Sequence, residues 1–329
     1  MPDPPRAIGT FVRTVRGDIP PEDVGFAHCH EHTFILPGPS ARVDSRLLLD
    51  DLEKTSAELS EFYASGGRTV VDAQPIGPER APRLQRLASD RSGVHIVAAS
   101  GFHRAIYYEP GHFRFHETAG QLAARMMAEI TDGMIQYDGS GAAHPTGIKA
   151  GILKFASDYH VIDAQAEKVA EAVAAAHLHT GAPILTHTEY GTCGLEQIAL
   201  FRRLGVHPSA LLISHLDRNP DPALHEEIAD AGVYLVYDGV SRIKCHPDST
   251  IVQLIFRLAE AGHVNRILLG MDMGPRCMWR SYGGGPGMTY LGNVFLRSLR
   301  IAGLGGEQVG MFTECNPAAA LAFRPRAAS

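Results

Sequence analysis

Eight short apolar segments recur along the chain, and helix-like segments lie between them. The predicted strands cover residues 24–30, 68–73, 94–100, 151–157, 182–188, 210–216, 232–238 and 266–272. The spacing of apolar residues predicts helices over 47–65, 119–134 and 164–180, and Gly181 ends the last of them. Strands that alternate with helices form a parallel sheet, and eight such units favour closure into a barrel. The sequence therefore predicts an α/β fold, a (β/α)₈ TIM barrel that forms a single domain over residues 1–329.

The bulk composition excludes several classes of partner. The net charge is -6 and basic residues form no block, so we expect no nucleic-acid surface. No apolar run approaches the roughly 18 residues of a membrane span, and residues 1–20 lack the apolar core of a signal peptide. The five cysteines are scattered and form no C-x-x-C pair. They are therefore predicted to be reduced thiols in a cytoplasmic protein.

Ionisable side chains collect at the predicted carboxyl ends of the strands, where barrels of this type carry their active sites. The group consists of His30, His32, Lys154, His187, His215 and Asp272. Each residue alone has an ordinary explanation, such as a hydrogen-bonded core histidine or a loop-capping aspartate. Together they would be costly to desolvate, and a metal ion removes that cost because imidazole and carboxylate are typical zinc ligands. Two long loops, 102–117 and 273–288, follow strands three and eight and are expected to be functional.

The segment His28-Cys29-His30-Glu31-His32 ends the first predicted strand. Strand alternation predicts that the three histidines face one way and that Cys29 faces the other way, away from the site. His28 lies two residues deeper than His30, about 7 Å along the strand, so we expect a structural hydrogen bond there instead of a metal ligand.

The complete set of motifs resembles the phosphotriesterase-like branch of the amidohydrolase superfamily. The matching segments are "HEH" after strand one, "GILKFAS", "LTHTEYG", "ISHLDRN", "LLGMDMG" and the Asn316-Pro317-Ala318 triplet. The resemblance implies two divalent metal ions, with zinc as the first expectation and Mn, Co or Fe as alternatives. It assigns His30, His32 and Asp272 to the buried ion and His187 and His215 to the more exposed one. Lys154 would bridge both as a CO₂-derived carbamate.

The same resemblance implies a hydrolase in which a metal-bridging hydroxide attacks the substrate and Asp272 accepts a proton. The segments 187–197, 215–222, 237–249 and 281–291 are closest to the sugar-lactone subgroup, some of whose members act on phosphorylated lactones. That subgroup implies that Lys244 and Arg276 bind the phosphate. Pro275 and Met278 stand where an arginine and a tyrosine are expected.

Several alternatives stay open at this point. Within the family, the substrate could be an acyl-homoserine lactone or a phosphotriester, and Met278, Trp279 and Met288 would then form an apolar acyl channel. In another class, the chain would be a catalytically idle binder of a small carbonyl ligand. An enzyme with a serine nucleophile is disfavoured because no G-x-S-x-G elbow occurs. A homodimer is compatible with the sequence.

Overall fold

Eight parallel strands pair in chain order around a nearly closed barrel, which confirms the predicted fold class. The computed structural model describes residues 10–77, 79–137 and 142–324. The strands are β1 (Phe26–Glu31), β2 (Gly67–Asp72), β3 (His95–Gly101), β4 (Ile152–Ala156), β5 (Ile184–His187), β6 (Leu211–Ser214), β7 (Tyr234–Tyr237) and β8 (Ile267–Leu269). Residues 1–9, which belong to the segment used to predict that no signal peptide is present, lie outside the described residues. No helix within the described ranges is long and apolar enough to cross a membrane.

The helices lie between and after the strands. Their bounds are Pro39–Val43, Leu52–Ala64, Pro82–Ser92, Phe113–His116, Ala119–Thr131, Ala164–Thr180, Gly194–Arg203, Pro222–Asp230, Asp248–Glu260, Leu296–Ile301, Gly306–Gly310 and Asn316–Leu321. The helix predicted over 164–180 is confirmed, with Gly181 in the left-handed conformation at its end. The helix predicted from 47 begins five residues later, because Leu49 pairs with Ile35 and Asp51 caps the first turn.

Two short hairpins were not predicted. Val12–Thr14 pairs with Gly17–Ile19, and Ile135–Tyr137 pairs with Ala143–Pro145. Each strand has only three residues, which is too short for a period to stand out in the sequence.

Alternate strand residues pack on the two sides of the barrel wall. Val71, Leu185, Leu212 and Leu268 belong to the inner apolar cluster, and their strand neighbours pack in the outer cluster with the helices. The inner cluster fills the lower barrel, and the polar side chains begin directly above it. The last inward-facing residues of the strands therefore lie together at the carboxyl end of the barrel.

The seam between β8 and β1 is closed by one backbone and one side-chain contact. The Asp272 N–H donates to the His30 carbonyl at 3.0 Å. The buried Glu31 carboxylate accepts the N–H groups of Met271 and Met273 at 2.9 and 2.8 Å. A Cβ on Gly270 would lie 3.0 Å from both the N and the O of His30, so a glycine lets the two backbones approach. Glu31 thus has a structural role at the barrel seam.

The predicted side-chain alternation in β1 is wrong for His28 and Cys29. His28 faces outward, with its ring 4.6 Å from the Phe62 ring, whereas Cys29 packs in the inner cluster. A register irregularity between His28 and Glu31 lets His30 face inward as well. The expected hydrogen bond of His28 is present, since its Nδ1 lies 2.8 Å from Glu31 Oε1.

Candidate metal centre

The structure brings the six predicted ligand positions together at the mouth of the barrel. A cavity of about 340 Å³ opens there, and its wall includes His30, His32, His187, His215 and Asp272. Lys154 projects from β4 and is fully buried. Each residue lies near the carboxyl end of its strand: His30, Lys154 and His187 belong to β1, β4 and β5, His32 and His215 directly follow β1 and β6, and Asp272 lies three residues after β8.

Three of these side chains form a compact group of potential ligands. One nitrogen each of His30 and His32 and one oxygen of Asp272 lie within 4.8 Å of one another. Asp272 Oδ1 is 3.5 Å from His32 Nε2 and 3.9 Å from His30 Nε2. Asp272 has a left-handed backbone with φ of 48°, which places its carboxylate over the mouth at the end of β8. The grouping matches the residues assigned to the buried ion.

Asp238, at the end of β7, orients two of the histidines and was missed by the sequence analysis. Its Oδ2 accepts from His30 Nδ1 at 2.8 Å, and its Oδ1 accepts from His215 Nδ1 at 2.6 Å. These bonds place the ring protons on Nδ1 and leave the Nε2 lone pairs for a metal. His30, His215 and Asp238 also lie close enough together to resemble a ligand group. The two short hydrogen bonds favour the orienting role instead.

Gln74 performs the same task for His32. Its Oε1 accepts from His32 Nδ1 at 3.0 Å, and its backbone N–H donates to the buried Asp72 at 2.9 Å. Asp72 also accepts the Thr33 N–H at 2.8 Å, so the end of β2 is fixed to the turn after β1. Three of the four predicted imidazole ligands therefore present Nε2 to the mouth.

Within the six predicted ligand positions, two buried nitrogens have no hydrogen-bond partner among the described residues. They are Lys154 Nζ and His187 Nδ1. An unpartnered buried amine or imidazole nitrogen is costly, and a metal or a metal-bridging group would satisfy both atoms. The donor set of four imidazoles, one carboxylate and one lysine therefore fits a binuclear metal centre.

Two arginines bind the outer oxygen of Asp272, and neither was singled out from the sequence. Arg218 Nη2 and Arg242 Nη2 lie 2.6 and 2.7 Å from Asp272 Oδ2. Arg242 also donates to the Met271 carbonyl at 3.2 Å. Both guanidinium groups line the cavity. They fix the orientation of Asp272 and place positive charge beside any ligand in the cavity.

Burial and these charges set the protonation states. Burial lowers the pKa of Lys154 to about 8, although Asp272 and Asp238 oppose the shift. Burial likewise lowers the pKa of His187 to about 4 and the pKa values of His30 and His215. Burial alone would raise the pKa of Asp272, but Arg242 and the histidines hold it well below its ordinary value. Burial would also lower the pKa of His32, but its hydrogen bond to Asp272 and the charge of that carboxylate raise it. The neutral forms favoured for His30, His187 and His215, beside an ionised carboxylate, are the forms that bind metals.

The two predicted phosphate-binding residues differ in position. Lys244 lines the cavity from the loop after β7. Arg276 is exposed and does not belong to the cavity wall, and its N–H donates to the Arg46 carbonyl at 2.8 Å. The structure therefore lends no support to a role for Arg276 in the cavity and brings Arg218 and Arg242 there instead.

The apolar residues proposed for an acyl channel are not in the cavity wall. Met278, Trp279 and Met288 are buried in the outer core cluster, and Trp279 Nε1 donates to the Met273 carbonyl at 2.7 Å. The loop over 102–117 supplies His103 and two tyrosines to the cavity.

Comparisons with known proteins agree with this fold. Residues 10–321 match the model of the phosphotriesterase family. A relative from Mycoplasmopsis agalactiae named phospho-furanose lactonase is 32% identical over 95% of this chain and 92% of its own. The crystal structure of an amidohydrolase from Mycoplasma synoviae superposes with a TM-score of 0.92 at 32% identity and covers 97% of this chain and 93% of that one. The crystal structure of a lactonase from Listeria monocytogenes superposes with a TM-score of 0.89 at 32% identity. It covers 95% of this chain and 99% of that one.

Proposed function

The chain belongs to the phosphotriesterase family, a family of binuclear metal enzymes, and on that premise we propose that it is a hydrolase that opens a small sugar lactone. The observation that carries the proposal is the pair of unpartnered buried nitrogens, Lys154 Nζ and His187 Nδ1, beside three oriented imidazoles. An idle carbonyl binder would have no need to retain all six ligand positions.

We propose that His30, His32 and Asp272 hold one ion and that His187 and His215 hold the other. Lys154 would complete the set that holds them, as a carbamate formed when its neutral amine adds CO₂ and releases one proton. Zinc is the first expectation for the metal, because the histidines and the carboxylate suit it. When bound, the metals supply a nucleophile at neutral pH and polarise the substrate carbonyl.

In this proposal the chain itself holds the geometry and moves the proton. Hydrolysis adds one water to the lactone carbonyl and breaks the ring C–O bond, which gives a free hydroxyl and a carboxylic acid that releases one proton to become a carboxylate. Asp272 takes the proton that the attacking water loses and returns it to the leaving ring oxygen. Proton transfer of this kind contributes roughly 10²–10⁴-fold. Arg218 and Arg242 hold Asp272 in position during both steps.

The substrate class rests on Lys244 and on the names of the relatives. The cavity wall carries Lys244, Arg218 and Arg242 but also four carboxylates. Both arginines are paired with Asp272, so Lys244 is the cation proposed to meet an anionic substituent on the lactone. The phosphorylated furanose named for the relatives has such a substituent. We therefore propose a phosphorylated five-membered sugar lactone as the preferred substrate.

The test is a substrate panel on purified protein loaded with zinc. Free and phosphorylated aldonolactones, acyl-homoserine lactones and an aryl phosphotriester are assayed for kcat/KM, with Lys154→Ala as the control for contaminating activity. We expect a phosphorylated aldonolactone to be the best substrate. A preference for long acyl-homoserine lactones or for the phosphotriester would assign the chain to another branch. Metal-loaded protein that hydrolyses none of these compounds but binds a lactone would support the idle binder.

A further inference from the structure

Three charged residues form an ion-pair cluster beside His187 and have no role in the proposed reaction, and one of them, Glu189, lines the cavity. We call Arg104, Asp158 and Glu189 the rim triad. Arg104 Nη1 is 2.7 Å from Glu189 Oε2, and Arg104 Nε is 2.5 Å from Asp158 Oδ1. The members follow β3, β4 and β5, so the triad joins three loops at the carboxyl end of the barrel.

Glu189 also contacts a predicted metal ligand directly. Its Oε2 accepts from His187 Nε2 at 2.8 Å, while His187 Nδ1 is buried without a partner among the described residues. A carboxylate can only accept, so the ring proton lies on Nε2 and the lone pair lies on Nδ1. The other oriented histidines show the opposite arrangement, with Nδ1 bonded to Asp238 or Gln74. Glu189 therefore determines which nitrogen of His187 faces the mouth.

Arg104 connects this contact to the loop over 102–117. The preceding residue, His103, packs its ring 4.6 Å from the ring of His187, and its Nδ1 accepts the Arg104 N–H at 2.7 Å. Tyr107 of the same loop lines the cavity. One oxygen, Glu189 Oε2, thus bonds both the imidazole of His187 and the first part of this loop. A displacement of His187 would strain the Arg104 ion pair, and a displacement of the loop would strain His187.

We propose that Glu189 is a positioning residue that selects Nδ1 of His187 as the metal-binding atom, and that Arg104 couples this selection to the order of the loop over 102–117. The inference rests on the proposed metal centre and adds two residues to it. Metal binding at the His187 position and ordering of the loop then stabilise each other, because they share one carboxylate oxygen.

Zinc affinity provides the first test. The full-length protein is dialysed against graded concentrations of a chelator, and bound zinc is measured for the wild type, Glu189→Ala, Glu189→Gln and Arg104→Met. Loss of a residue that orients a ligand typically costs 10–100-fold in metal affinity. We expect Glu189→Ala to release one of its two zinc ions at a chelator concentration about 10–100-fold lower than the wild type requires. Glu189→Gln, which keeps an acceptor oxygen, should lie between it and the wild type.

A matched variant controls for the loss of an ion pair near the same loop. Arg125→Met removes the ion pair between Arg125 and Glu117, in which Nη2 lies 2.5 Å from Oε1. Neither residue belongs to the cavity wall. The variant should leave both zinc ions bound as in the wild type. Circular dichroism and urea unfolding confirm that each variant is folded before metal is measured.

Hydrogen exchange provides a readout that a purely structural role of Glu189 would not change. Zinc should slow exchange in a peptide that spans 102–117 in the wild type, and this protection should be lost in Glu189→Ala and Arg104→Met. The helix Ala164–Thr180 should exchange equally in all three proteins. Unchanged zinc affinity in folded Glu189→Ala would overturn the proposal, as would zinc protection of the loop that survives in Arg104→Met. A wild type that binds no zinc would overturn the metal centre as well.

Discussion

His215 Nδ1 lies 2.6 Å from Asp238 Oδ1, and both side chains are buried. The bond fixes the imidazole of β6 through a carboxylate on β7, and the other oxygen of Asp238 fixes His30 on β1. Burial would raise the pKa of Asp238, but His215 and His30 hold it far below its ordinary value. Asp238 is therefore an anion that orients two imidazoles whose ring centroids lie 4.7 Å apart.

The first prediction concerns this carboxylate. Asp238→Asn keeps the shape of the side chain but replaces one of its two acceptor oxygens with an NH₂ group. That group cannot accept the Nδ1–H that faces it, so one of the two imidazoles loses its orientation. We expect metal affinity to fall about 10–100-fold, with activity restored in part by excess zinc. Isothermal titration with zinc measures the change. Affinity equal to that of the wild type would show that the histidines are positioned without Asp238.

The second prediction concerns the pH at which the metal centre assembles. The pKa of Lys154 is lowered to about 8, and only the neutral amine adds CO₂. The neutral fraction rises with pH, from about 3% at pH 6.5 to about 90% at pH 9. Metal-free protein given zinc at constant dissolved CO₂ should therefore regain activity roughly thirty times faster at pH 9 than at pH 6.5. Equal rates at the two pH values would contradict a carbamate on Lys154.

The third prediction separates metal binding from proton transfer. Asp272→Asn retains an oxygen for the metal but cannot accept a proton. We expect most of the zinc to remain bound while kcat falls by about 10²-fold or more. Zinc content and kcat are measured on the same preparation. Unchanged turnover in fully metallated protein would remove Asp272 from proton transfer.

The fourth prediction tests the charge of the cavity wall. Lys244→Ala should lower kcat/KM for a phosphorylated lactone about ten- to a hundredfold, because a charge-assisted hydrogen bond of roughly 1.5–3 kcal/mol is lost. The uncharged lactone serves as the control and should be little affected. Arg276→Ala should have the smaller effect, since Arg276 lies outside the cavity wall. Equal losses on both lactones would rule out an anion subsite at Lys244.

The fifth prediction concerns the barrel seam. Glu31→Ala removes the acceptor for the buried N–H groups of Met271 and Met273. Each unsatisfied group costs about 1–3 kcal/mol, so we expect the free energy of unfolding to fall by about 2–6 kcal/mol. Urea unfolding measures it, with Glu53→Ala, on an exposed helical position, as the control. A loss no larger than that of the control would show that the seam closes without Glu31.

The sequence was sufficient for the barrel and for the expectation that the six predicted ligand positions converge at its mouth. Apolar strands alternate with long amphipathic segments, and each predicted ligand stands near a strand end, so both signals are local. The helix boundaries were predicted less well than the helices themselves. The helix that ends at Ala64 begins at Leu52 because Asp51 caps it and Leu49 pairs with Ile35, and the spacing of apolar residues does not reveal these contacts.

The roles of the residues that support the ligands could not be inferred in the same way. Asp238 stands at a strand end like the others, and the same search applied to β7 would have found it. Its role depends on His30, which is 208 positions away in the chain. The pairing of Arg218 and Arg242 with Asp272 depends on loop paths, and the reversal at His28 depends on a register irregularity in β1. None of these leaves a periodic trace in the sequence.

The most direct test of the central claim is a zinc titration of lactone hydrolysis by metal-free protein. The preferred phosphorylated aldonolactone is the substrate, and kcat is followed against bound zinc measured by elemental analysis. The proposed binuclear centre predicts no turnover without metal and a rise that ends at about two equivalents per chain. Full turnover with less than about 0.1 equivalent of any divalent metal would contradict it.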